Sequence, residues 1–456
     1  MRSTGRILRM VAPVVAIVTL TACGVGEPQP SPGDDGAGGG SDVSDEELEG
    51  TSIKLARFFG DCDETTSGVT DVSEATSECE VIQILTNAFN AENEFGITVE
   101  RLGGAEWGTY YDALNAAFAG GNPPDVAVMH GSNLPDYAAR NLLLPLDDVA
   151  EVDLEDAAEA ARDAVTYEDT TYALPFDLHA ALLHVNMDIL NEAGLVDAQG
   201  NPMIPTSVDE FFAAAKQVED RTGKQFFGAE FVNGLMGIRM FISLVWQQGG
   251  DIVSADGTSA QVDGPEARAA LDMMLRMFDE GYANPEQTYD SAQQAFLNGD
   301  VALLMNGTWV VNQYDAEAPF DYRTADFPTL FDSPAVWANS HVWVIPRQEQ
   351  ADPVRYRAAL EFISYLYEHE ADWAIGTGHL AARTPVLESA DYQQAPQRAN
   401  YVETATSIAR QVPRVRNWQA VEDILRQQIE ATWLTGVSVD EALSQAQREI
   451  DRALAD

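Results

Sequence analysis

Cysteine is scarce in this 456-residue sequence, which contains only three. Cys23 follows an apolar leader, whereas Cys62 and Cys79 flank the polar run 63–78. No cysteine and histidine spacing fits a zinc site, and neither later cysteine is expected to be catalytic. In an exported protein such a pair is typical of a disulfide that closes a surface loop, with two free thiols as the alternative.

Basic residues are also few. The chain has 26 lysines and arginines against 73 acidic residues, so its formal net charge is −47. This charge repels phosphate backbones, and nucleic acid is therefore excluded as a partner. An anionic solute is disfavoured as well, unless a local basic pocket binds it. Most of the acidity is explained by the need to keep an exported protein soluble.

The motifs of several enzyme and metal-site classes are missing. Neither Gly-x-Ser-x-Gly nor His-Glu-x-x-His occurs, although carboxylates are plentiful enough for a glycosidase pair to stay open as an alternative. The six histidines are scattered, and His179 and His184 are five apart and do not share a helical face. We therefore predict no catalytic residues, no metal site and no cofactor.

The first 22 residues have the pattern of a signal peptide. Arg2, Arg6 and Arg9 precede an apolar stretch that ends at Leu20 and is too short to span a membrane. The ending Leu20–Cys23 resembles the lipobox of bacterial lipoproteins, which implies a lipid on Cys23. An ordinary signal peptide is the alternative. Residues 23–50, rich in Gly, Pro, Ser, Asp and Glu, predict a flexible linker that reaches roughly 30 Å. No later segment is long and apolar enough to span a bilayer.

Strand and helix patterns alternate at the start of the folded region. Strands are predicted at 53–58, 97–101 and 125–129, with helices at 79–94 and 107–119 between them. This order is the mark of an α/β fold. Ligands of such sheets bind beyond the carboxyl ends of strands, which draws attention to His130.

Helical patterns dominate the remainder, and roughly 400 residues after the linker favour two lobes over one core. The best-marked helix, 207–221, has its N-cap at Thr206-Ser207 and Glu210 in a capping box. Further predicted elements are helices at 187–193, 265–280, 291–297 and 353–375, a strand at 301–306, and an almost wholly helical region at 393–456.

Four motifs, which occur in the expected order along the chain, carry a family resemblance. They are Gly121–Val126 with Leu142–Asp148, Tyr172–His179 with Leu182–Asp188 and Ala193–Leu195, Ala295–Trp309, and Val439–Leu443 with Gln447–Ile450. With them the chain resembles the extracellular solute-binding proteins of ABC importers, specifically the sugar-binding group that includes maltose-binding protein.

The resemblance implies the two-lobed periplasmic-binding-protein fold, in which each lobe is an α/β sheet flanked by helices and solute binds in a hinged cleft. We place lobe one at 51–176 plus 322–378, and lobe two at 177–321 plus 379–456. It also implies a monomeric receptor, not an enzyme, that delivers a sugar or oligosaccharide to a membrane permease from an extracytoplasmic, lipid-anchored position. A polyamine or other cationic solute is the alternative ligand, given the acidity.

Candidate ligand contacts lie where the motifs meet the expected cleft. Sugars need aromatic platforms for their C–H faces and polar groups for their hydroxyls. Trp309 occupies the position where the family presents a stacking tryptophan. Asp177 and His179 are two apart in an extended segment and face one way. The alternatives are a core tryptophan, hinge hydrogen bonds, or, for Arg383, a structural ion pair. The complete predicted set is Trp107, His130, Asp177, His179, Trp309, Trp337, Asn339, His341, Arg383 and Trp418.

Overall fold

The computed structural model describes residues 43–455, except 104–106, 150–151 and 402. The predicted signal peptide 1–22, the lipidation site Cys23 and linker residues 23–42 lie outside the described residues. No helix among those described is long and apolar enough to cross a membrane.

A nine-stranded mixed sheet organises the described chain, with the principal strand order β2-β1-β3-β10-β6-β8-β7. At one end β1 lies between β2 and β3, all three parallel, as the alternating strand and helix pattern predicts. β9 pairs with β6, β11 pairs with β10, and β4 and β5 form a separate hairpin. The strands are β1 (Ser52–Ala56), β2 (Thr98–Arg101), β3 (Val126–His130), β4 (Thr166–Tyr167), β5 (Thr170–Thr171), β6 (Ala173–Asn186), β7 (Gln225–Gly228), β8 (Val301–Gly307), β9 (Tyr322–Ala325), β10 (Val336–Val344) and β11 (Ala409–Gln411).

Seventeen α-helices surround this sheet in the described ranges. Ser207 Oγ accepts the backbone N–H of Glu210 and Gly223 ends the same helix in the left-handed region, which confirms the predicted N-cap. The helices are α1 (Asp45–Leu48), α2 (Glu78–Glu92), α3 (Tyr110–Ala119), α4 (Leu134–Ala139), α5 (Glu159–Val165), α6 (Met187–Ala193), α7 (Val208–Thr222), α8 (Met236–Gln247), α9 (Pro265–Asp279), α10 (Tyr289–Leu297), α11 (Val311–Glu317), α12 (Pro353–Glu368), α13 (Glu370–Thr377), α14 (Thr384–Leu387), α15 (Ala390–Gln394), α16 (Trp418–Leu434) and α17 (Val439–Ala455).

Two long strands connect the two hydrophobic cores. The first core consists of buried residues from 48–176 and 342–373, and the second chiefly of buried residues from 178–338 and 380–450. β6 and β10 pair antiparallel and are buried along their whole lengths, and each contributes residues to both cores. Each core therefore has its own helices while sharing these two strands, an arrangement that suits a hinge.

The boundary between the cores differs from the predicted start of a returning lobe one at 322. β9 pairs with the end of β6, and Phe327, Leu330 and Trp337 pack in the second core. The chain returns to the first core only at Val342, after the irregularity that the sheet shows between His341 and Val342. Residues 322–338 therefore pack with the second core, because backbone pairing to β6 decides their position.

The last part of the predicted flexible linker is folded. Residues 45–48 form α1, whose capping box joins Ser44 and Glu47, and Leu48 has no exposed surface. Leu48, together with the partly buried Val43, packs this segment against the first core. The composition of residues 23–50 did not indicate helix α1, because the residues next to Leu48 are acidic.

Two other local predictions can be compared with the structure. Cys62 and Cys79 form a disulfide, as their spacing and the expected compartment predicted. The single helix predicted at 353–375 is instead two helices, α12 and α13, which meet at His369.

Candidate functional site

A cleft of about 780 Å³ lies over the middle of the sheet, where strands of both cores meet. Its lining combines aromatic rings, imidazoles, carboxylates and two arginines. The residues that line it are Phe58, Glu78, Trp107, Gly108, Tyr111, Asp112, His130, Ser132, Asn133, His179, Glu230, Asn233, Gly234, Leu235, Met236, Arg239, Tyr289, Trp309, Asn339, His341, Gln419, Glu422, Asp423 and Arg426.

Three adjacent strands supply the floor of the cleft. His130 ends β3 and pairs directly with His341 of β10, while Asn339 of β10 pairs with His179 of β6. All four side chains line the cleft and are almost completely buried. Cross-strand pairing therefore brings together residues that are up to 211 positions apart in the chain. They meet at the carboxyl end of β3, where the sequence predicted ligand contact by His130.

Asp177 lies behind this floor and organises it. Its carboxylate accepts hydrogen bonds from His179 Nδ1 at 2.9 Å, His341 Nδ1 at 2.8 Å and Trp373 Nε1 at 2.7 Å. Burial alone would raise the pKa of Asp177, but the nearby imidazoles of His341 and His379, with the hydrogen bonds, hold that pKa well below its usual range. Asp177 thus orients the histidines without itself lining the cleft.

The imidazoles of the floor are held in a largely dry environment. The His130 ring stacks on Phe58 at 5.0 Å, and its Nδ1 lies 2.7 Å from the Tyr111 hydroxyl. Burial, followed by the charge of His341, lowers the pKa of His130 well below its usual value, and burial lowers that of His179 to about 3. Both rings are therefore neutral at pH 7.

Two tryptophans form aromatic walls. Trp107 is 46% exposed, and its ring lies 5.2 Å from His130. Trp309 is partly buried, and its Nε1 donates to the Tyr289 hydroxyl at 2.8 Å, which fixes the plane of the indole. A Cβ at Gly307 would lie 2.0 Å from the Trp309 ring, so glycine is required for the indole to take this position. The Trp309 face is therefore a prebuilt platform.

The wall from the second core carries charge. The Arg239 guanidinium lies 3.9 Å from the Trp337 ring centre and 5.6 Å from that of Trp309. Burial raises the pKa of Glu422 to about 7, although the charge of Arg239 opposes the rise. Glu230 accepts the backbone N–H groups of Leu235 and Met236 at the start of α8.

Six of the ten predicted contact residues line the cleft, namely Trp107, His130, His179, Trp309, Asn339 and His341. Of the other four, Asp177 supports the floor from behind. Trp337 and Trp418 are buried in the second core, and Trp337 packs beneath Arg239. Arg383 forms an ion pair with Asp156 outside the cleft, the structural role weighed against ligand contact.

Sequence reasoning missed Glu230, Arg239, Tyr289 and Glu422. Arg239 had a usable signal, because it is the only charged residue in the mainly apolar helix α8. The other three gave no comparable signal, since each is one polar residue among many on a helix or loop. Tertiary packing alone turns them towards the cleft.

Comparison with known proteins agrees with this geometry. The profile of the bacterial extracellular solute-binding protein family matches residues 85–400, more than half of the chain. The chain belongs to that family. Its site therefore belongs to an extracytoplasmic solute-binding protein, and the mixed sheet with two cores is the two-lobed fold of such proteins.

Several relatives of this solute-binding protein have names that refer to sugars. A maltotriose-binding protein of Pyrococcus abyssi is 24% identical over 62% of the chain, and the match spans 60% of that protein's own length. The maltodextrin-binding protein MdxE of Bacillus subtilis is 22% identical over 82% of the chain and 88% of its own length. The GacH receptor of Streptomyces glaucescens, solved unliganded and with acarbose, shares the fold with a TM-score of 0.76 at 20% identity, over 89% of this chain and 99% of its own.

Proposed function

We propose that the protein is an extracytoplasmic receptor that binds a sugar or oligosaccharide in the cleft and delivers it to an ABC permease. The observation that carries this proposal is the pairing of aromatic platforms with dense polar groups. Trp107 and Trp309 offer flat faces for sugar C–H groups, while His179, Asn339 and Glu422 offer donors and acceptors for hydroxyls. The names of the relatives support the same ligand class.

Closure of the cleft is the proposed signal to the permease. β6 and β10 are shared by the two cores, so a rotation about these strands would bring Trp107 of the first core towards Trp309 and Glu230 of the second. A ligand that contacts both sides stabilises the closed state more than the open state. We propose that the protein binds its ligand without chemical turnover, as its relatives' names imply for those proteins.

The ligand is proposed to be neutral. The cleft wall carries the buried cation Arg239 as well as carboxylates, and the histidines His130 and His179 are neutral. A polyamine would have to approach Arg239, which disfavours it despite the net charge of −47.

We further propose that Cys23 carries a lipid and that residues 24–42 tether the folded part to the membrane. The support is the leader sequence Leu20–Cys23 and the polar composition of the residues that follow. Mass spectrometry of the protein purified from membranes would show a lipid-modified Cys23 at the N-terminus. Release into the medium of a chain bearing an unmodified Cys23 would refute the tether.

A panel of sugars tests the ligand class. Thermal unfolding of the purified protein should shift upward with the concentration of a bound mono- or oligosaccharide, because a ligand of the folded state raises its stability. A shift with polyamines and with no sugar would contradict the proposal. Hydrolysis of an offered glycoside would contradict the absence of turnover.

Trp309→Ala tests the platform. We expect it to weaken sugar binding by more than about 1 kcal/mol, or more than about fivefold in Kd, because a buried aromatic anchor is removed. Trp433→Ala is the control, since Trp433 is also partly buried but packs at the edge of the second core, outside the cleft. Equal affinities of the two variants in isothermal titration would assign Trp309 to packing alone.

A further inference from the structure

Three of the six histidines meet at the floor of the cleft and a fourth lies beside them, although the sequence scatters them from 130 to 379. The ring centres of His130, His179 and His341 lie 4.2 to 5.8 Å apart. His379 lies beside them, with its ring centre 5.5 Å from that of His341. Such a gathering of imidazoles is unusual for a cleft that needs only hydroxyl partners.

Three of these rings are oriented in the same way. His179 and His341 each use Nδ1 to donate to an oxygen of the Asp177 carboxylate, and Nδ1 of His130 lies 2.7 Å from the Tyr111 oxygen. All three rings line the cleft, and the hydrogen bonds described for their side chains use Nδ1. Nε2 of each ring has no hydrogen bond among those described and is therefore available to a ligand.

We propose that His130, His179 and His341 form a three-histidine site for a divalent transition-metal ion at the floor of the cleft. Asp177 and Tyr111 orient the ligating rings from behind, as carboxylate and oxygen partners do for metal-bound histidines. Three imidazoles suit Zn²⁺, Co²⁺, Ni²⁺ or Cu²⁺, and the side facing the cleft leaves coordination positions open.

The distances are compatible with coordination after small movements. One nitrogen from each of the three rings lies within 4.8 Å of the other two. A tetrahedral ion with metal–nitrogen bonds of about 2.1 Å holds its ligands roughly 3.4 Å apart. Each pair of nitrogens must therefore approach by at most about 1.4 Å, which side-chain rotation can provide. The ligands stand on β3, β6 and β10, neighbouring strands that fix their backbones.

His379 has a different role. Its Nε2 lies 2.9 Å from Glu78 and its Nδ1 lies 3.2 Å from the Thr308 hydroxyl, so both nitrogens are engaged. Since both of its nitrogens have protein partners, His379 differs from the other three histidines, whose described hydrogen bonds use Nδ1 alone.

The charges around the three histidines favour a cation at this point. The buried carboxylate of Asp177 lies directly behind two of the ligands and offsets part of the positive charge. The acidic residues Glu78 and Glu422 on the cleft walls act against the repulsion from Arg239.

Asparagine substitutions test the site most sharply. The amide of His130→Asn, His179→Asn or His341→Asn can occupy the place of Nδ1 and keep its hydrogen bond, but it removes the ligating Nε2. After treatment with EDTA, the full chain should bind one equivalent of Zn²⁺ in isothermal titration. Each variant should raise the Kd by at least about 100-fold, since loss of a ligand exceeds loss of an orienting partner. Bound Co²⁺ should show the visible absorption of a tetrahedral site in the wild type only.

His369→Asn is the control, because His369 lies between α12 and α13, stacked on Tyr365 and outside the cleft lining, and the substitution should leave Zn²⁺ binding unchanged. The proposal is overturned if the wild type shows no saturable binding up to about 1 mM, or if the three variants bind as the wild type does. All titrations are made without sugar, and the sugar panel is repeated in EDTA. Failure of Zn²⁺ binding therefore does not affect the sugar result, and failure of sugar binding does not affect the Zn²⁺ result.

Discussion

Glu370 begins α13 and has no exposed surface, yet only one of its carboxyl oxygens has a hydrogen-bond partner. Oε1 accepts the backbone N–H of Ala382 at 2.7 Å, whereas Oε2 is buried without a partner. Burial, with a smaller contribution from the charge of Asp177, raises the pKa of Glu370 from 4.5 to about 8. The side chain is therefore mostly protonated in the folded protein at pH 7.

This pKa makes the stability depend on pH. Between pH 4.5 and pH 8 the folded protein holds a proton that the unfolded chain has released. The free energy of unfolding therefore falls as pH rises through this window, and the contribution is fully present below it. A pKa difference of about 3.5 corresponds to a total loss of about 5 kcal/mol.

Glu370→Gln removes the titrating group and keeps the shape of the side chain. We expect the variant's stability, relative to wild type, to be greater at about pH 9 than at about pH 5 by about 4 kcal/mol, because part of the total loss has already occurred at pH 5. Urea unfolding followed by tryptophan fluorescence at each pH measures this difference. Glu368→Gln, two residues away and exposed, is the control and should follow the wild type. Parallel curves for Glu370→Gln and wild type would refute the reasoning.

Three further results are expected. Replacing both Cys62 and Cys79 with serine removes a cross-link between residues 17 apart. The free energy of unfolding measured in urea should fall by about 3 kcal/mol, and a fall of less than about 1 kcal/mol would contradict this. Leu48→Ala should also lower the free energy of unfolding by about 3 kcal/mol, because the side chain is fully buried. A change within about 0.5 kcal/mol would mean that the flexible linker extends through α1. Arg383→Gln should leave sugar affinity unchanged in isothermal titration, since Arg383 pairs with Asp156 outside the cleft. A tenfold loss of affinity, about 1.4 kcal/mol, would show that Arg383 contacts the ligand.

Elements with strong local patterns were predictable. The parallel arrangement of β1, β2 and β3 follows from apolar runs separated by amphipathic helices, and α7 from its N-cap and apolar stripe. The disulfide followed from spacing and compartment. For α7 and the disulfide the deciding forces act within a short stretch. For the three strands, the helices between them act as crossover connections, which parallel neighbouring strands require.

Position in the cleft was predictable where a residue ends a strand or belongs to a motif, as for His130 and Trp309. It was not predictable for Trp418, because a tryptophan on a helix faces the core or the cleft according to how that helix packs. For the same reason the position of Glu422 in the cleft, one turn further along α16, was not predictable. The start of the returning lobe was misplaced because pairing between β9 and β6 is a long-range interaction.

The sequence alone determined the α/β class, the disulfide, the expectation of an exported protein and the family, because these depend on composition, spacing and ordered motifs. Tertiary structure alone decided which side chains share the cleft. His130, His179 and His341 are up to 211 positions apart, and their spacing does not indicate that all three line the cleft. They meet because β3, β10 and β6 are neighbours in one sheet, and the buried carboxylate of Asp177 then holds two of the three rings by hydrogen bonds.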